Sequence, residues 1–403
     1  MRSLAKKILE RILRFLAKRV LRRYHPLVIA ITGSVGKTTT KEAVCIVVKG
    51  TSRTWYSELN YNNEIGVPLT VLGLRPSSSP FVWFFNLLKG LWLTFGVRVK
   101  NYPEKLVLEM AADKPGDIEY LTDFIKPQVA IITNVNPVHA EFFGDIEFTA
   151  QEKGKLIGAL GREGIAILNA DDKRVKKMGE NLKGNLIYYG LSKEAQAKAS
   201  EVETGINGTS FVFEYEGKRE KISLPHLIGE HLAYAALAAI AVGIYLGMDF
   251  KKIAKSLEGL KPPLHRLNLV KGEKETVVID DTYNASASST IEALKVLGKL
   301  KGNFRIAVLG DMLELGDYTE REHRRVGKRV PEVAQLLITV GKYAHFIADE
   351  AVKNGFPKDK VFNTKNKNEA LKVLREHLQE NDVVLIKGSR GVELDEVVEG
   401  VKK

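Results

Sequence analysis

LVIAITGSVGKTTT, running from Leu27 to Thr40, is the stretch on which the reading of the fold turns. An apolar β-type run, Leu27–Thr32, leads into the turn Gly33-Ser34-Val35-Gly36, and Lys37-Thr38-Thr39-Thr40 then opens a helical pattern. In such a strand–loop–helix unit, backbone N–H groups and the positive end of the helix cradle phosphate oxygens. Lys37 is expected to neutralise charge on the terminal phosphates, and the Thr38 hydroxyl to ligate Mg2+. The stretch therefore predicts nucleotide binding through Gly33, Ser34, Gly36, Lys37, Thr38 and Thr39. The common P-loop pattern has glycine where this chain has Ile31, so the loop is a shorter variant. A glycine-rich turn with a chance lysine is the weaker reading, because strand and helix patterns flank it.

Outward from the loop, apolar runs alternate with helical stretches. Lys105–Glu109, Val129–Thr133 and Ile165–Asn169 read as further strands of a βαβ parallel sheet. Ligands of open parallel sheets collect beyond the carboxyl ends of the strands. Glu109 closes one such strand and His139 follows another, so both are candidates to face the phosphates. Phe211, Phe213 and Tyr215 alternate ahead of Glu216-Gly217, which predicts a hairpin within 205–224, and an alanine-rich helix follows at His231–Leu246. Lys261-Pro262-Pro263 reads as a linker. Beyond it, Thr276–Asp280, Arg305–Gly310, Gln335–Val340 and Val383–Lys387 predict a second, smaller sheet. The expected fold is α/β: a P-loop central domain with a mostly parallel sheet over 27–260, then a smaller Rossmann-like α/β domain over 261–403.

Composition narrows the class. With 403 residues, 44% hydrophobic and 27% charged, the chain can bury more than one core. Its single cysteine, Cys45, excludes a disulfide framework and a cysteine-based zinc site, and fits a reducing compartment such as the cytoplasm. Of the net charge of +12, eight units fall in residues 1–26. A nucleic-acid binder more often spreads its basic surface over the folded domain; here the excess is local, and no nucleic-acid partner is expected. Residues 1–24 mix apolar and basic residues at helical spacing, which predicts an amphipathic helix ended by Pro26. Phe81–Val97 (FVWFFNLLKGLWLTFGV), within an apolar insert at 79–101, is short for a membrane span. It reads equally as a buried helix or hairpin and as an interfacial segment with Trp83 and Trp92 at headgroup level.

Several longer motifs carry a family resemblance. TGSVGKTTT, YNNEIGVPLTVL at 61–72, LEM at 108–110, TNVNPVHAEFFG at 133–144 and EKGKL at 152–156 resemble the Mur ligase central domain. HRL at 265–267, DDTYNAS at 280–286, VLGDMLELG at 308–316 and KGSRG at 387–391 are similar to the MurF-like branch. The resemblance implies an ATP-dependent, ADP-forming ligase that makes an amide bond through an acyl phosphate during cell-wall synthesis. It implies that Thr38, Glu109 and His139 hold magnesium, joined by Lys153 once that lysine is carbamylated. Lys37, His139 and Lys153 are then the catalytic set. His231, Arg266 and Asp281 are implied in nucleotide binding. Asn62 and Asn63 are implied on the carboxylate-substrate side, and Asp311, Glu314, Lys387 and Arg390 around the amine, D-alanyl-D-alanine or a similar group.

Three departures from the family pattern shape the expectations. The UDP-sugar-binding N-terminal domain is not represented ahead of Gly33, so a UDP-linked precursor is expected to lose its usual anchor. The basic helix and the 81–97 segment are additions that suit an anionic membrane surface, pointing to a lipid-linked precursor and a peripheral place on the inner face of the membrane. The alternative is that the basic helix packs on the protein or on a partner. In Gly229-Glu230-His231-Leu232-Ala233-Tyr234-Ala235, both asparagines of the family's adenine motif are replaced. Outside this reading stand a ligase of the folylpolyglutamate type and a catalytically silent, nucleotide-dependent membrane scaffold; the latter has no need of a complete metal site.

Overall fold

The computed structural model describes residues 2–57, 61–77, 79–136 and 146–403. Two sheets organise them. The first has nine strands: β1 (Leu27–Thr32), β2 (Thr54–Tyr56), β3 (Lys105–Glu109), β4 (Val129–Ile132), β5 (Ile165–Asn169), β6 (Asn185–Gly190), β7 (Ala197–Gly205), β8 (Gly208–Tyr215) and β9 (Lys218–Leu224). Their spatial order is β2-β3-β1-β4-β5-β6-β7-β8-β9. Neighbours from β2 through β7 pair parallel, and β7–β8 and β8–β9 pair antiparallel. The predicted hairpin is β8–β9, turning at Glu216-Gly217. β6 and β7, which the sequence pattern did not announce, weld that hairpin to the parallel sheet.

Strand burial explains why β1 reads as a continuous apolar run. Ile29 and Ile31 face one core and Val28 and Ala30 the other, so both faces of the strand are covered. On the first face lie α2 (Lys37–Lys49) and, from later in the chain, the helices Ala233–Tyr245 and Phe250–Leu257. On the second face lie α1 (Arg2–Tyr24), α3 (Gly66–Leu72), α4 (Pro80–Phe95), α5 (Asp117–Phe124) and α6 (Ile146–Gly158).

The basic helix packs one of its faces on the protein itself. Leu13, Leu16, Ala17 and Val20 of α1 are fully buried among Val67, Val71, Leu106 and Leu108. The apolar face of α1 is therefore used by the protein's own core. Gly90 lies at the α1–α4 contact, where an added Cβ would stand 3.0 Å from Leu16 Cδ1. Arg23 donates to the carbonyls of Leu93, Thr94 and Gly96, satisfying the C-terminal end of α4. Phe81–Val97 is neither a hairpin nor a wholly buried helix: its helix buries Leu93 and Thr94 and leaves an apolar face outside. Among the described residues, no helix is long and apolar enough to cross a membrane.

The second sheet holds β10 (Asn268–Lys271), β11 (Val277–Asp281), β12 (Arg305–Gly310), β13 (Leu336–Val340), β14 (Val361–Thr364) and β15 (Val383–Lys387), in the order β10-β11-β15-β12-β13-β14. All pairings are parallel except that of the edge strand β10. Completing the helix numbering, α7 is Lys173–Gly179, α8 Ala233–Tyr245, α9 Phe250–Leu257 and α10 Ala287–Lys299. Residues of α8 and α10 belong to one continuous apolar core, which joins the two sheets.

Candidate active site

The carboxyl ends of β1, β3, β4 and β5 meet the carboxyl ends of β11 and β15 around one cavity of about 670 Å³. Side chains from both sheets line it, among them Lys37, Thr38, Glu109, Arg266, Asp281 and Lys387.

The phosphate loop fixes one wall. Gly33 has φ +148°, and a Cβ there would lie 1.9 Å from Thr133 Oγ1; Gly36, at φ +83°, is the left-handed residue before α2. The first needs glycine for close approach and the second for conformation. Ser34 N–H donates to Asn134 O and Val35 N–H to Asn134 Oδ1, so the loop is braced by the residues after β4. Within α2 the first N–H to bond back is that of Thr40, to Gly36 O at 2.9 Å. The N–H groups of Lys37, Thr38 and Thr39 precede it, and the start of a helix leaves such donors for an anion. Lys37 Nζ folds over the loop, donating to Gly33 O at 2.8 Å and Ser34 O at 3.2 Å. Desolvation holds its ammonium below the ordinary lysine value, and the charges of Glu109 and Asp113 oppose that.

Glu109 is nearly inaccessible at the end of β3. Asn62 Nδ2 donates to its Oε1 at 3.0 Å, while its Oε2 is buried without a hydrogen-bond partner. A buried carboxylate oxygen left so is costly unless a cation completes it. With the Thr38 hydroxyl on the same cavity, the donors are hard oxygens of the kind magnesium takes. His139, the remaining expected ligand, lies outside the described residues. Lys153 of α6 is 3% exposed, and its pKa is pushed down to about 7. Burial is the main cause and the Lys37 charge adds to it, against Asp113 and Glu152.

The opposite wall comes from the second sheet and its linker. Lys387 Nζ donates to Asp281 Oδ2 at 2.6 Å and to Asn284 O at 2.9 Å, and Asp281 Oδ1 accepts from Leu267 N–H. The Arg266 guanidinium lies 4.3 Å over the Tyr283 ring. His231, just ahead of α8, also lines the cavity, its pKa lowered by burial against the nearby Glu292 carboxylate. Four features here were not foreseen. Asn169, Asp171, Tyr234 and Asn284 line the cavity, and Tyr234 OH donates to Asp171 Oδ2 at 2.8 Å. Tyr234 stands inside the altered adenine motif, a signal the sequence did offer.

The six residues expected around the substrates divide. Asn62 and Lys387 line the cavity. Asn63 Oδ1 accepts the N–H groups of Ile65 and Gly66 at the start of α3. Asp311 is buried after β12 and accepts three backbone N–H groups, from Lys342, Tyr343 and Ala344. Its own carbonyl accepts from Ser389 N–H, which ties the 311–315 loop to the loop bearing Arg390. Asp311, Glu314 and the exposed Arg390 thus sit at strand ends of the second sheet, beside the cavity and not in its lining.

Comparison with known proteins matches this arrangement. The Mur ligase middle domain model matches residues 87–243, and the Mur ligase, glutamate ligase domain model matches 265–390. The UDP-N-acetylmuramoyl-tripeptide–D-alanyl-D-alanine ligase of Bacillus subtilis (strain 168) is 33% identical over 385 residues, covering 95% of this chain and 77% of the relative. The chain belongs to the Mur ligase family. Within it the likeness is to MurF: a crystal structure of MurF from Acinetobacter baumannii superposes with TM-score 0.82 at 27% identity, covering 96% of this chain and 79% of that one. MurF ligase from Thermotoga maritima, solved in complex with ADP, gives TM-score 0.81 at 27% identity over 97% of this chain and 83% of its own. This Mur ligase is an ATP-dependent, ADP-forming enzyme of the MurF-like type.

Proposed function

We propose that this MurF-like ligase joins D-alanyl-D-alanine to the terminal carboxylate of a UDP-N-acetylmuramoyl-tripeptide, the substrates named for its Bacillus subtilis and Escherichia coli relatives. The observation that carries the reading is the single cavity faced by the phosphate loop from one sheet and by Arg266, Asp281 and Lys387 from the other.

A carboxylate oxygen of the precursor attacks the γ-phosphorus of ATP in line, forming an acyl phosphate as ADP leaves. Lys37 and the N–H groups opening α2 stabilise the charge that builds on the transferred phosphoryl oxygens. The amine nitrogen of the dipeptide then attacks the acyl carbon, phosphate departs, and the amine loses a proton. Magnesium, held by Thr38, Glu109 and His139, would neutralise phosphate charge in the first step. Asn62 orients the Glu109 carboxylate for that role. Lys153, with a pKa of about 7, presents a partly neutral amine, the form that adds CO2 with loss of a proton to give a carbamate. The loops bearing Asp311, Glu314 and Arg390 would bring the amine substrate to the cavity mouth, and closure of the two walls would keep water from the acyl phosphate.

Phosphate release from ATP and Mg2+, with D-alanyl-D-alanine and UDP-muramoyl-tripeptide, tests the reading. Acceptor-dependent turnover and a product heavier by one dipeptide residue pair are expected; ATP hydrolysis indifferent to both acceptors would overturn it. A lipid-carried precursor is a second reading, favoured by the apolar outer face of α4. Membrane-extracted precursor in place of the soluble one separates the two.

A further inference from the structure

α4 buries one side and shows the other. At about 100° per residue, its outward side chains Phe81, Phe84, Phe85, Leu88, Trp92 and Phe95 fall within an arc of roughly 100°. All are exposed, Phe81 by 72%, Trp92 by 57% and Phe95 by 62%. An aromatic stripe of this length is uncommon on a monomer's surface unless something covers it.

Beside it lies the outer side of α1, which continues the stripe with Ile8, Ile12 and Phe15, each at least 39% exposed. The same side carries Lys7, Arg11, Arg19 and Arg22, all exposed, with Arg19 over the Phe15 ring. By contrast, Arg14 and Lys18 pair with Asp123, and Arg23 is turned inward onto the end of α4. The outward charges of α1 are thus basic, while its inward basic residues hold the helix to the protein. Around α4 the bias continues: no Asp or Glu occurs between Glu64 and Glu104, where Arg75, Lys89, Arg98 and Lys100 stand. An aromatic ridge rimmed by cations, without acids among it, complements one kind of partner: apolar matter carrying a negative surface.

We propose that the joint outer face of α1 and α4 docks the protein on an anionic lipid bilayer. The α4 aromatics enter the acyl-chain boundary, and the basic residues of α1 and of 98–100 meet headgroup phosphates. Among the described residues no helix is long and apolar enough to span a bilayer, so docking is through this outer face. The buried face of α1 and the Arg23 contacts fix the two helices as one platform, so that no refolding is needed for docking. This surface is on the side of the first sheet away from α8 and does not depend on the substrates proposed for the cavity.

The test is sedimentation of the full chain with sucrose-loaded vesicles of phosphatidylglycerol and phosphatidylcholine, against pure phosphatidylcholine. Binding to the anionic vesicles is expected, weakened by salt. Replacing Phe84, Phe85 and Trp92 together by Ser, or Arg11, Arg19 and Arg22 together by Gln, is expected to weaken it by roughly tenfold or more. These side chains are exposed, and an unchanged melting temperature shows that the variants fold. Acyl-chain-brominated lipid is expected to quench the wild-type fluorescence and to lose that effect in Trp92→Phe. Failure to sediment with anionic vesicles at low salt overturns the proposal, as does binding that survives the serine triple variant. Self-association that shields Trp92 in the absence of lipid would also overturn it, naming a second copy as the occupant. Because sedimentation reads no turnover, its failure leaves the ligase reading untouched.

Discussion

At Lys153, burial and chemistry meet in one side chain. Its ammonium is desolvated and faces the positive charge of Lys37, which brings its pKa to about 7. The unfolded chain holds the extra proton between that value and the ordinary 10.5, so the stability contributed by this site rises with pH across that window. Below pH 7 both states are protonated and the buried charge is most unfavourable. Lys153→Met is therefore expected to raise the urea midpoint at pH 6.5, and to raise it less at pH 9. The same variant is expected to lose ligase turnover by about a hundredfold or more, the scale of removing a catalytic charge. The lysine's place in EKGKL was legible from the chain; its pKa was not, because the neighbours that set it come from α2 and from Asp113. Tyr234 and Asp171 show the same limit. They meet across 63 residues of sequence, and nothing local to either announces the contact.

Elements were legible where one pattern governs them. β1, β3, β5, β12 and β15 fall on the residues expected, because apolar runs bounded by polar turns have few other uses. β6 and β7 were not legible: β6 leaves half its residues partly exposed, and β7 buries alanines, Ala197 and Ala199, where a strand signal needs β-branched or aromatic residues. Helix α1 shows why amphipathicity alone cannot name a partner. Its apolar positions satisfy a bilayer or a protein core equally well, and the structure gives Leu13, Leu16, Ala17 and Val20 to the core while leaving Ile8, Ile12 and Phe15 outside. Leu16→Ala, opposite Gly90, is accordingly expected to cost about 2–5 kcal/mol in chemical unfolding. A change near zero would mean that α1 is not part of the fold. A substitution on its outer side, such as Ile12→Ser, is expected to leave stability within about 0.5 kcal/mol.

On the scale of the molecule, the cavity exists because two sheets present their strand ends to each other. Asp281 and Lys387 are both buried on its C-terminal wall, 2.6 Å apart. Asp281→Ala leaves the Lys387 ammonium, whose side chain is only 2% exposed, with the Asn284 carbonyl alone and is expected to cost about 3–5 kcal/mol, whereas Lys387→Met leaves a carboxylate that is 12% exposed and keeps its Leu267 N–H bond, and should cost less. Thermal unfolding with and without ADP and Mg2+ checks this, and the Asp281 variant should also lose most of the nucleotide's stabilising effect.

By itself the sequence determined the phosphate loop, the parallel α/β character of both sheets and the family, because a loop motif, a strand run and a helix period are each written in neighbouring residues. Only the tertiary structure decided which walls face each other, why Glu109 keeps a carboxylate oxygen unpartnered, and which side of α1 remains outside. Those follow from contacts between residues far apart in the chain, and from desolvation, which no single segment possesses until the others have packed around it.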